Sequence, residues 1–264
     1  MIPDYLSELV AKIVVKIART PFPRPIQCLL NRAYVKFFDI DMSQFETSNP
    51  CLYPTLNDLF IRYKKVVEFY EDEEIVISPA DGLIVGEGEI GENGVIEVKG
   101  QEYSISRLVG EEVDLKGGYF VNIYLSPKDY HRFHVPIKME ILEGRAIPGR
   151  LKSVRPAVLE REKVYTENKR VVLKCRDWRG NPFYFIAVGA IIVGKIVINF
   201  DDRLSRDYPE PTTFSYSGVQ LEKGEELGRF EFGSSILLLF PAGTFKYLNQ
   251  KERVEVGDIL GESF

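Results

Sequence analysis

The chain has 264 residues, of which 45% are hydrophobic and 28% are charged, and its net charge at pH 7 is −5. These values exclude a disordered or fibrous protein and are typical of a globular protein with a sizeable core. Cys28, Cys51 and Cys175 are odd in number and far apart, which argues against a disulfide framework or a zinc site and favours a reducing compartment.

The sequence also limits how the protein meets a membrane. The N-terminus lacks a long apolar segment followed by a small-residue cleavage site, so we expect no secretory signal and a cytoplasmic protein. The longest uncharged apolar stretch, residues 183–194, is shorter than the ~20 residues that a membrane-spanning helix needs. Any membrane contact is therefore expected to be peripheral.

The N-terminal segment is basic although the whole chain is acidic. Residues 1–38 carry six basic and two acidic side chains, and apolar residues recur there at helical spacing. The apolar face consists of Leu6, Leu9, Val10, Ile13, Val14 and Ile17, with Lys12, Lys16 and Arg19 largely elsewhere. Such a helix either packs on the rest of the protein or lies on an anionic lipid surface.

Two more helices are predicted before the sequence changes character. Prolines between residues 21 and 25 end the first helix, and residues 27–38 predict a second one. Its inward face is expected to contain Leu29, Leu30, Ala33, Tyr34 and Phe37. Thr55 and Asp58 resemble a capping box for a short third helix that runs to Arg62.

After residue 70 the chain consists of β-branched stretches separated by glycine. We expect a helical, membrane-associating region over residues 1–70 and a β-rich catalytic domain over residues 71–264. Asn93-Gly94 predicts a hairpin, and residues 179–182 predict another turn. The expected fold class is α+β, with N-terminal helices followed by a largely antiparallel core that resembles a β-sandwich or barrel.

Four residues are candidates for chemistry. His131 and His134, the only histidines of the sequence, are the first candidates for base catalysis, because imidazole titrates near neutral pH. They are alternatively structural; no acidic third ligand is apparent, so we expect no metal. Asp81 either caps a turn or orients a histidine. Gly233-Ser234 is either a glycine turn before a strand or a peptide bond whose carbonyl is open to the Ser234 hydroxyl.

Three motifs resemble the signatures of the phosphatidylserine decarboxylases, in the same order. They are Pro-Ala-Asp-Gly at 79–82, Tyr-Leu-Ser-Pro-Lys-Asp-Tyr-His-Arg-Phe-His-Val-Pro at 124–136, and Gly-Ser-Ser at 233–235. Residues 56–62, 147–154, 188–190 and 228–230 also resemble segments of that family. The commonest family form of the last motif is Leu-Gly-Ser-Thr, whereas this chain has Phe232-Gly233-Ser234-Ser235. Ser235 keeps a hydroxyl and offers an alternative hydrogen-bond partner or nucleophile.

The resemblance implies self-cleavage between Gly233 and Ser234 by a triad of Asp81, His134 and Ser234. The products would be a β chain, residues 1–233, and an α chain, residues 234–264, which begins with a pyruvoyl group made from Ser234. That covalent pyruvate would form a Schiff base with the substrate amine and accept the electrons left by departing CO₂. His131 would assist decarboxylation or reprotonation.

The reaction that this resemblance implies is the conversion of phosphatidylserine to phosphatidylethanolamine and CO₂, by a peripheral enzyme on the cytoplasmic side of the cell membrane. An anionic membrane surface and a second copy of the chain, as a homodimer, are the expected partners, and nucleic acid is not. Three alternatives stay open. They are a pyruvoyl-dependent decarboxylase of a soluble amino acid, a non-catalytic lipid-binding or carrier-like β module, and a serine hydrolase, for which the Gly-x-Ser-x-Gly motif is missing.

Overall fold

A computed structural model describes residues 13–65, 69–191, 195–231 and 234–264. Its helical part contains a helix over residues 13–19, α1 (Arg24–Phe38) and α2 (Leu56–Phe60). The 3-10 helices Met42–Gln44 and Pro50–Leu52 connect α1 to α2. Leu6, Leu9, Val10 and Lys12 of the predicted first helix lie outside the described residues.

The predicted cap of α2 is confirmed. The Thr55 hydroxyl accepts a hydrogen bond from the Asp58 N–H at 3.0 Å and donates one to the Asp58 carboxylate at 2.7 Å. These bonds satisfy backbone donors that the first turn of a helix leaves unpaired. The helix ends at Phe60, two residues earlier than predicted.

Strands make up most of the remaining described chain. Their bounds are β1 Ile75–Ile77, β2 Gly82–Glu89, β3 Val95–Val98, β4 Gln101–Ser104, β5 Tyr119–Leu125, β6 Arg132–His134, β7 Met139–Ile147, β8 Arg170–Asp177, β9 Pro182–Gly189, β10 Lys195–Ile198, β11 Thr212–Leu221, β12 Glu226–Glu231, β13 Ser234–Phe240, β14 Phe245–Tyr247, β15 Arg253–Val254 and β16 Ile259–Ser263. Short helices α3 (Ile105–Val109) and α4 (Pro156–Leu159) and a 3-10 helix (Asp202–Ser205) interrupt them.

The largest sheet has eight strands in the order β11-β7-β8-β9-β13-β5-β2-β15, and each neighbouring pair in it is antiparallel. Smaller sheets have the orders β1-β16-β14, β10-β12-β6 and β3-β4. In the described part of the chain the large sheet stays open, with β11 and β15 at its edges. The expected α+β class with a sandwich-like antiparallel core is confirmed, without a closed barrel.

Strand β13 lies inside the large sheet and every one of its residues is buried. Because alternate side chains of a strand point to opposite faces, it contributes to two apolar clusters. Ile236 and Leu238 pack in one cluster with Ile123, while Leu237 and Leu239 pack in the other. The two faces of the sheet are therefore both covered, and β13 starts at Ser234 between them.

The helical part packs on the β core. Ile40, Phe45 and Leu59 form an apolar cluster with Tyr130 and Val256 from the β-rich part. The predicted division of the chain near residue 70 stays a prediction.

A disulfide corrects the expectation drawn from the cysteines. Cys28 of α1 is bonded to Cys51 of the second 3-10 helix, while Cys175 is free and buried. The pairing was missed because Cys51 lies in a 3-10 helix that the sequence did not predict, and a spacing of 23 residues does not reveal its contact with α1. It fixes α1 against the segment that leads to α2.

The inward face predicted for α1 is largely wrong, because only Tyr34 of its five residues packs against the core. The side chains that the helix buries are Gln27 and Asn31, whereas Leu29 and Phe37 are 69% and 81% exposed. Asn31 accepts a hydrogen bond from Gln27 and donates to the carbonyls of Pro50 and Tyr53, so the buried polar groups are paired. The apolar side of α1 consequently faces outward.

The same outward orientation continues in the preceding helix, where Ile13 and Ile17 are each about half exposed. Exposed apolar side chains that are grouped together mark a surface that contacts another molecule or a lipid. In the described residues, no helix is both long and apolar enough to cross a membrane.

Only one of the two predicted turns joins paired strands. Residues 179–182 connect β8 to β9, as predicted. The Asn93-Gly94 turn is present, but it leads from β2 to β3, which are not paired with each other in the described structure. The hairpin is one turn later, at Lys99-Gly100, where both residues have positive φ (51° and 77°). A lysine is uncommon in that conformation, so this turn could not be predicted from its residue types.

Candidate active site

Ser234 begins β13 and is completely buried. It is in register with Leu125 of β5 on one side and with Gly189 of β9 on the other. Its hydroxyl has no hydrogen-bond partner among the described residues, which is unusual for a buried polar group. Phe232 and Gly233, which complete the predicted cleavage motif, lie outside the described residues. The structure therefore places the proposed nucleophile and not the carbonyl that it would attack.

Ser235 follows on the opposite face of β13, because successive side chains of a strand alternate. Burial raises the pKa of Tyr165, while Ser235 and Asn122 lie close enough to oppose that rise. The Ser235 hydroxyl is therefore near Tyr165 and Asn122, and it shares no face with Ser234.

His134 ends β6 and is held through both ring nitrogens. Nδ1 donates to the Gly224 carbonyl at 2.8 Å, so Nε2 carries the lone pair and accepts from the Tyr130 hydroxyl at 3.1 Å. Burial lowers the pKa of His134, although the bond to Gly224 opposes this effect. The ring is consequently neutral at pH 7, and its basic nitrogen, Nε2, is occupied by the hydrogen bond from Tyr130.

Asp81 lies at the end of the turn after β1. This turn reaches β6, where the His134 N–H donates to the Pro79 carbonyl at 2.8 Å. The Asp81 carboxylate accepts from Lys64 Nζ at 2.9 and 3.0 Å and from the Val256 N–H at 2.8 Å. Burial raises the pKa of Asp81, and the charge of Lys64 opposes that rise.

The three residues of the predicted triad are not joined by direct side-chain hydrogen bonds in the described structure. His134 bonds to Tyr130 and Gly224, Asp81 bonds to Lys64 and Val256, and Ser234 has no partner. What the fold does bring together is the Asp81 turn and the His134 strand, through the backbone bond to Pro79.

His131 is completely buried at the other end of the same short segment. Its Nδ1 donates to the Asp129 carbonyl at 2.8 Å, and its Nε2 has no partner among the described residues. The ring packs on Phe60 with a centroid separation of 3.9 Å. Burial, and to a smaller extent the positive charge of Arg62, lowers the pKa of His131 to about 3. It is therefore a neutral imidazole with one unpaired nitrogen.

The backbone brings His131 towards the segment that precedes Ser234. The Phe230 N–H donates to the His131 carbonyl at 2.8 Å, and Phe230 is four residues before Ser234. On the other side, Leu125, which is in register with Ser234, is six residues before His131. The stretches of chain from Phe230 to Ser234 and from Leu125 to His131 are both short, so His131 lies at the same end of the sheet as Ser234.

A cavity of about 320 Å³ lies at this end of the sheet, between the helices and the β core. Tyr124, the register partner of Ser235, lines it, as does Ala190, which follows the register partner of Ser234. Phe60, which packs on His131, and Val14 form part of the opposite wall. The volume is at the low end of the roughly 300–1,000 Å³ that small-molecule pockets occupy.

Comparison with known proteins identifies the family of this chain. Residues 56–262 match the family model described as phosphatidylserine decarboxylase. The chain is 39% identical over 263 residues to a phosphatidylserine decarboxylase proenzyme of Helicobacter pylori (strain J99), covering 97% of each chain. A proenzyme of the same name from Campylobacter jejuni is 40% identical over 258 residues, covering 93% of this chain and 95% of the other.

The chain belongs to the phosphatidylserine decarboxylase family. A third member, from Chromobacterium violaceum, is 35% identical over 229 residues, covering 82% of this chain and 80% of its own. Membership makes the chain an enzyme of the carboxy-lyase class, as the motifs in the sequence predicted. The word proenzyme in the names of these relatives refers to a precursor form.

Sequence reasoning missed three side chains that determine the geometry of this phosphatidylserine decarboxylase site. They are Lys64, which binds Asp81; Tyr130, which covers His134; and Phe60, which packs on His131. Lys64 also contacts Glu255 at 3.0 Å. Burial lowers the pKa of Lys64, but the charges and hydrogen bonds of Asp81 and Glu255 together raise it above its ordinary value, so the lysine stays charged. Tyr130 and Phe60 had a signal, because Tyr130 lies inside the histidine motif and Phe60 inside the family-like segment 56–62, whereas Lys64 had none.

Proposed function

We propose that this enzyme cleaves its own chain between Gly233 and Ser234 and then converts phosphatidylserine to phosphatidylethanolamine and CO₂. The observation that carries the proposal is the completely buried, unpartnered hydroxyl of Ser234 at the start of β13, the end of the sheet at which His131 and a largely apolar cavity also lie. Family membership supplies the substrate and the need for a precursor.

The self-cleavage begins with the Ser234 hydroxyl. Its oxygen attacks the Gly233 carbonyl, the C–N bond breaks, and an ester replaces the peptide bond, with the hydroxyl proton passing to the freed nitrogen through a base. Loss of the Ser234 α-proton then expels the Gly233 carboxylate and leaves dehydroalanine at position 234. One water is consumed and ammonia is released as that residue becomes pyruvoyl.

His134 is the proposed base for this step. Its neutral state and its Nδ1–H bond to Gly224 leave Nε2 as the nitrogen that accepts a proton. To reach Ser234, Nε2 must exchange the Tyr130 hydroxyl for the serine hydroxyl. Asp81, paired with the Lys64 ammonium, would stabilise the imidazolium that forms, as a carboxylate does in a serine triad.

The surroundings of Ser234 fit a pyruvoyl group. Residue 234 is buried at the start of a strand, so the group would be held in place and shielded from bulk water. When present, that group supplies an electron sink for the carbanion left by CO₂. His131 then supplies the proton to the product carbon from Nε2. A substrate carboxylate in the cavity would raise the pKa of His131 and let it hold that proton, because an opposite charge favours imidazolium.

The proposal also includes the membrane on which the reaction takes place. The exposed apolar residues of α1 and of the preceding helix, together with the basic N-terminal charge, suit peripheral docking on an anionic bilayer. Docking on the cytoplasmic side of the cell membrane and a homodimer, both expected from the family resemblance, belong to the same proposal.

The first test is the intact mass of freshly purified protein under denaturing conditions. Two fragments that divide after Gly233, the smaller beginning with a pyruvoyl group, are expected. Ser234→Ala is the matched control and should give a single uncleaved chain. A wild-type protein that stays in one piece during prolonged incubation would overturn the proposal and favour the non-catalytic binding module.

The second test separates the substrates. Release of CO₂ from phosphatidylserine in mixed micelles, without release from free serine or other soluble amino acids, is expected. The opposite pattern would identify a pyruvoyl-dependent decarboxylase of a soluble amino acid, with the Ser234 chemistry retained.

A further inference from the structure

The cavity at the Ser234 end of the large sheet has a strongly asymmetric chemical lining. Its walls are mostly apolar or aromatic and include Val14, Tyr34 and Phe38 from the helices. Among the described residues that line it, Arg155 alone is charged. A mainly apolar pocket with one cation suits a ligand that has an anionic group attached to an apolar part.

Arg155 is available to bind such a group. It is exposed, and in the described part of the chain its guanidinium forms neither an ion pair nor a hydrogen bond. By contrast, buried or half-buried arginines of the β core such as Arg132 and Arg145 are paired, with Glu226 and Glu111. The five N–H donors of Arg155 are therefore unoccupied at the edge of the cavity.

Arg155 lines the cavity together with Tyr124 of β5. Burial raises the pKa of Tyr124, and the positive charge of Arg155 opposes that rise. Tyr124 is the register partner of Ser235. The part of the cavity that Tyr124 and Arg155 line is therefore at the end of the sheet where residue 234 begins β13.

We propose that Arg155 binds the phosphodiester of the phospholipid substrate and so positions its headgroup for reaction at residue 234. The inference rests on the proposed function and adds a specificity-determining residue to it. Guanidinium binds phosphate oxygens through two parallel N–H donors, and few bonds separate the phosphate of a serine phospholipid from its reacting amine and carboxylate. A soluble amino acid has no phosphate and gains nothing from this contact.

The size of the cavity defines which part of the lipid enters. About 320 Å³ accommodates a headgroup with part of the glycerol, but not two acyl chains as well. The chains stay in the bilayer, next to the exposed side chains of Ile13, Ile17 and Phe37. Docking of the helices would thus bring the mouth of the cavity to the level of the lipid headgroups.

The test compares Arg155→Gln with wild type, using phosphatidylserine in mixed micelles. Arg155→Gln should self-cleave normally and raise KM about tenfold or more, because a charge-assisted contact is lost, with kcat changed much less. Arg155→Lys keeps the charge without the two-pronged geometry and should recover part of the affinity. Arg161→Gln removes the same charge from an exposed arginine that does not line the cavity, and should match wild type.

A second measurement separates the phosphate contact from general attraction to the micelle. Glycerophosphoethanolamine, the product headgroup without acyl chains, should inhibit the wild type competitively and the Arg155→Gln enzyme about tenfold more weakly. Equal KM and equal inhibition in the two enzymes would overturn the inference and leave the proposed function in place. A wild type that neither self-cleaves nor releases CO₂ from phosphatidylserine would remove the proposed function and the inference with it.

Discussion

Two buried histidines only three positions apart have different surroundings. His134 has both nitrogens bonded, to Tyr130 and to Gly224, whereas Nε2 of His131 is unpaired beside Phe60. A nitrogen without a partner is ready to meet a substrate, and one that is bonded must first change partners. The structure thus gives a physical reason to assign the two rings to separate steps.

Substitution of each histidine tests that division. His134→Ala should remain a full-length precursor, because the base for the Ser234 hydroxyl is lost. His131→Ala should self-cleave and then turn over phosphatidylserine at least about a hundredfold more slowly, the low end of what general acid–base groups contribute. Intact mass and CO₂ release measure the two steps, and an uncleaved His131→Ala chain would contradict the assignment.

The pH dependence of stability follows from burial of His131. Its pKa of about 3 in the folded chain is below the ordinary value of about 6.5 that it regains on unfolding. Between these values the unfolded state binds a proton that the folded state does not. The contribution of His131 to the free energy of unfolding is therefore fully present above about pH 6.5 and is lost as the pH falls towards 3.

This pH effect is measurable in a chain that cannot cut itself. In the Ser234→Ala background, lowering the pH from 7 to 5 should cost up to about 2 kcal/mol of unfolding free energy through His131. His131→Gln, which does not titrate, should lose correspondingly less. Urea unfolding at the two pH values gives the comparison, and identical losses with and without the histidine would refute the explanation.

The sequence identified the candidate residues of the site more readily than their contacts. Asp81, His131, His134 and Ser234 each lie in a recognisable motif, so local sequence was sufficient to select them. Lys64 reaches Asp81 from a segment 17 residues away, where an ordinary lysine gives no signal. Such pairings depend on how the elements pack, and a single sequence does not contain that information.

At the scale of elements, the helix over residues 13–19 contacts both sides of the candidate site. Ala18 is buried against Phe60, the residue that packs on His131. Arg19 forms an ion pair with Glu231, the last described residue before the proposed cleavage position. The amphipathic N-terminal segment is consequently attached to the strand end that leads into the motif.

Charge exchange tests whether this ion pair supports self-cleavage. Arg19→Glu or Glu231→Arg alone should slow the reaction about two- to fivefold, a range set by the modest strength of partly exposed ion pairs. The double exchange, Arg19→Glu with Glu231→Arg, should restore the rate. Time courses of precursor and product by mass measure it. A double exchange that is as slow as the single ones would show that the pairing is irrelevant to cleavage.

Secondary-structure elements could be predicted where a hydrogen bond between residues close in sequence defines them. The Thr55 cap and the turn at residues 179–182 depend on neighbours in sequence, and both are confirmed. The inward face of α1 was predicted wrongly because hydrophobicity was taken to mean burial. Its buried face instead uses Asn31 to bond the carbonyls of Pro50 and Tyr53, a tertiary requirement that overrides the pattern.

At the scale of the whole molecule, the exposed apolar residues gather on the helical part. Leu29 and Phe37 of α1 are among the most exposed large apolar side chains in the described chain. They lie in the basic N-terminal segment of a protein whose net charge is −5. A basic, apolar surface on an otherwise acidic molecule is oriented by an anionic bilayer.

Vesicle binding tests this orientation. Leu29→Asp or Phe37→Asp should each weaken binding to anionic vesicles roughly tenfold, because a large apolar side chain no longer enters the interface. Phe264→Asp is the matched control, since Phe264 is also exposed but lies beside the β8–β9 turn. Co-sedimentation at low and high salt measures the apolar and electrostatic parts. Equal loss in the control would contradict a helical docking surface.

The position of β13 has a consequence for how the mature enzyme tolerates unfolding. Residues 234–264 provide β13 in the interior of the large sheet, as well as β15 and β16 at separate places. Before the proposed cut, all strands belong to one chain and folding is a first-order event. After it, recovery requires two fragments to meet, so its rate depends on concentration. The cleaved enzyme would therefore refold less readily than its precursor. After denaturation and dilution, the two fragments would meet too rarely to restore the assembled state.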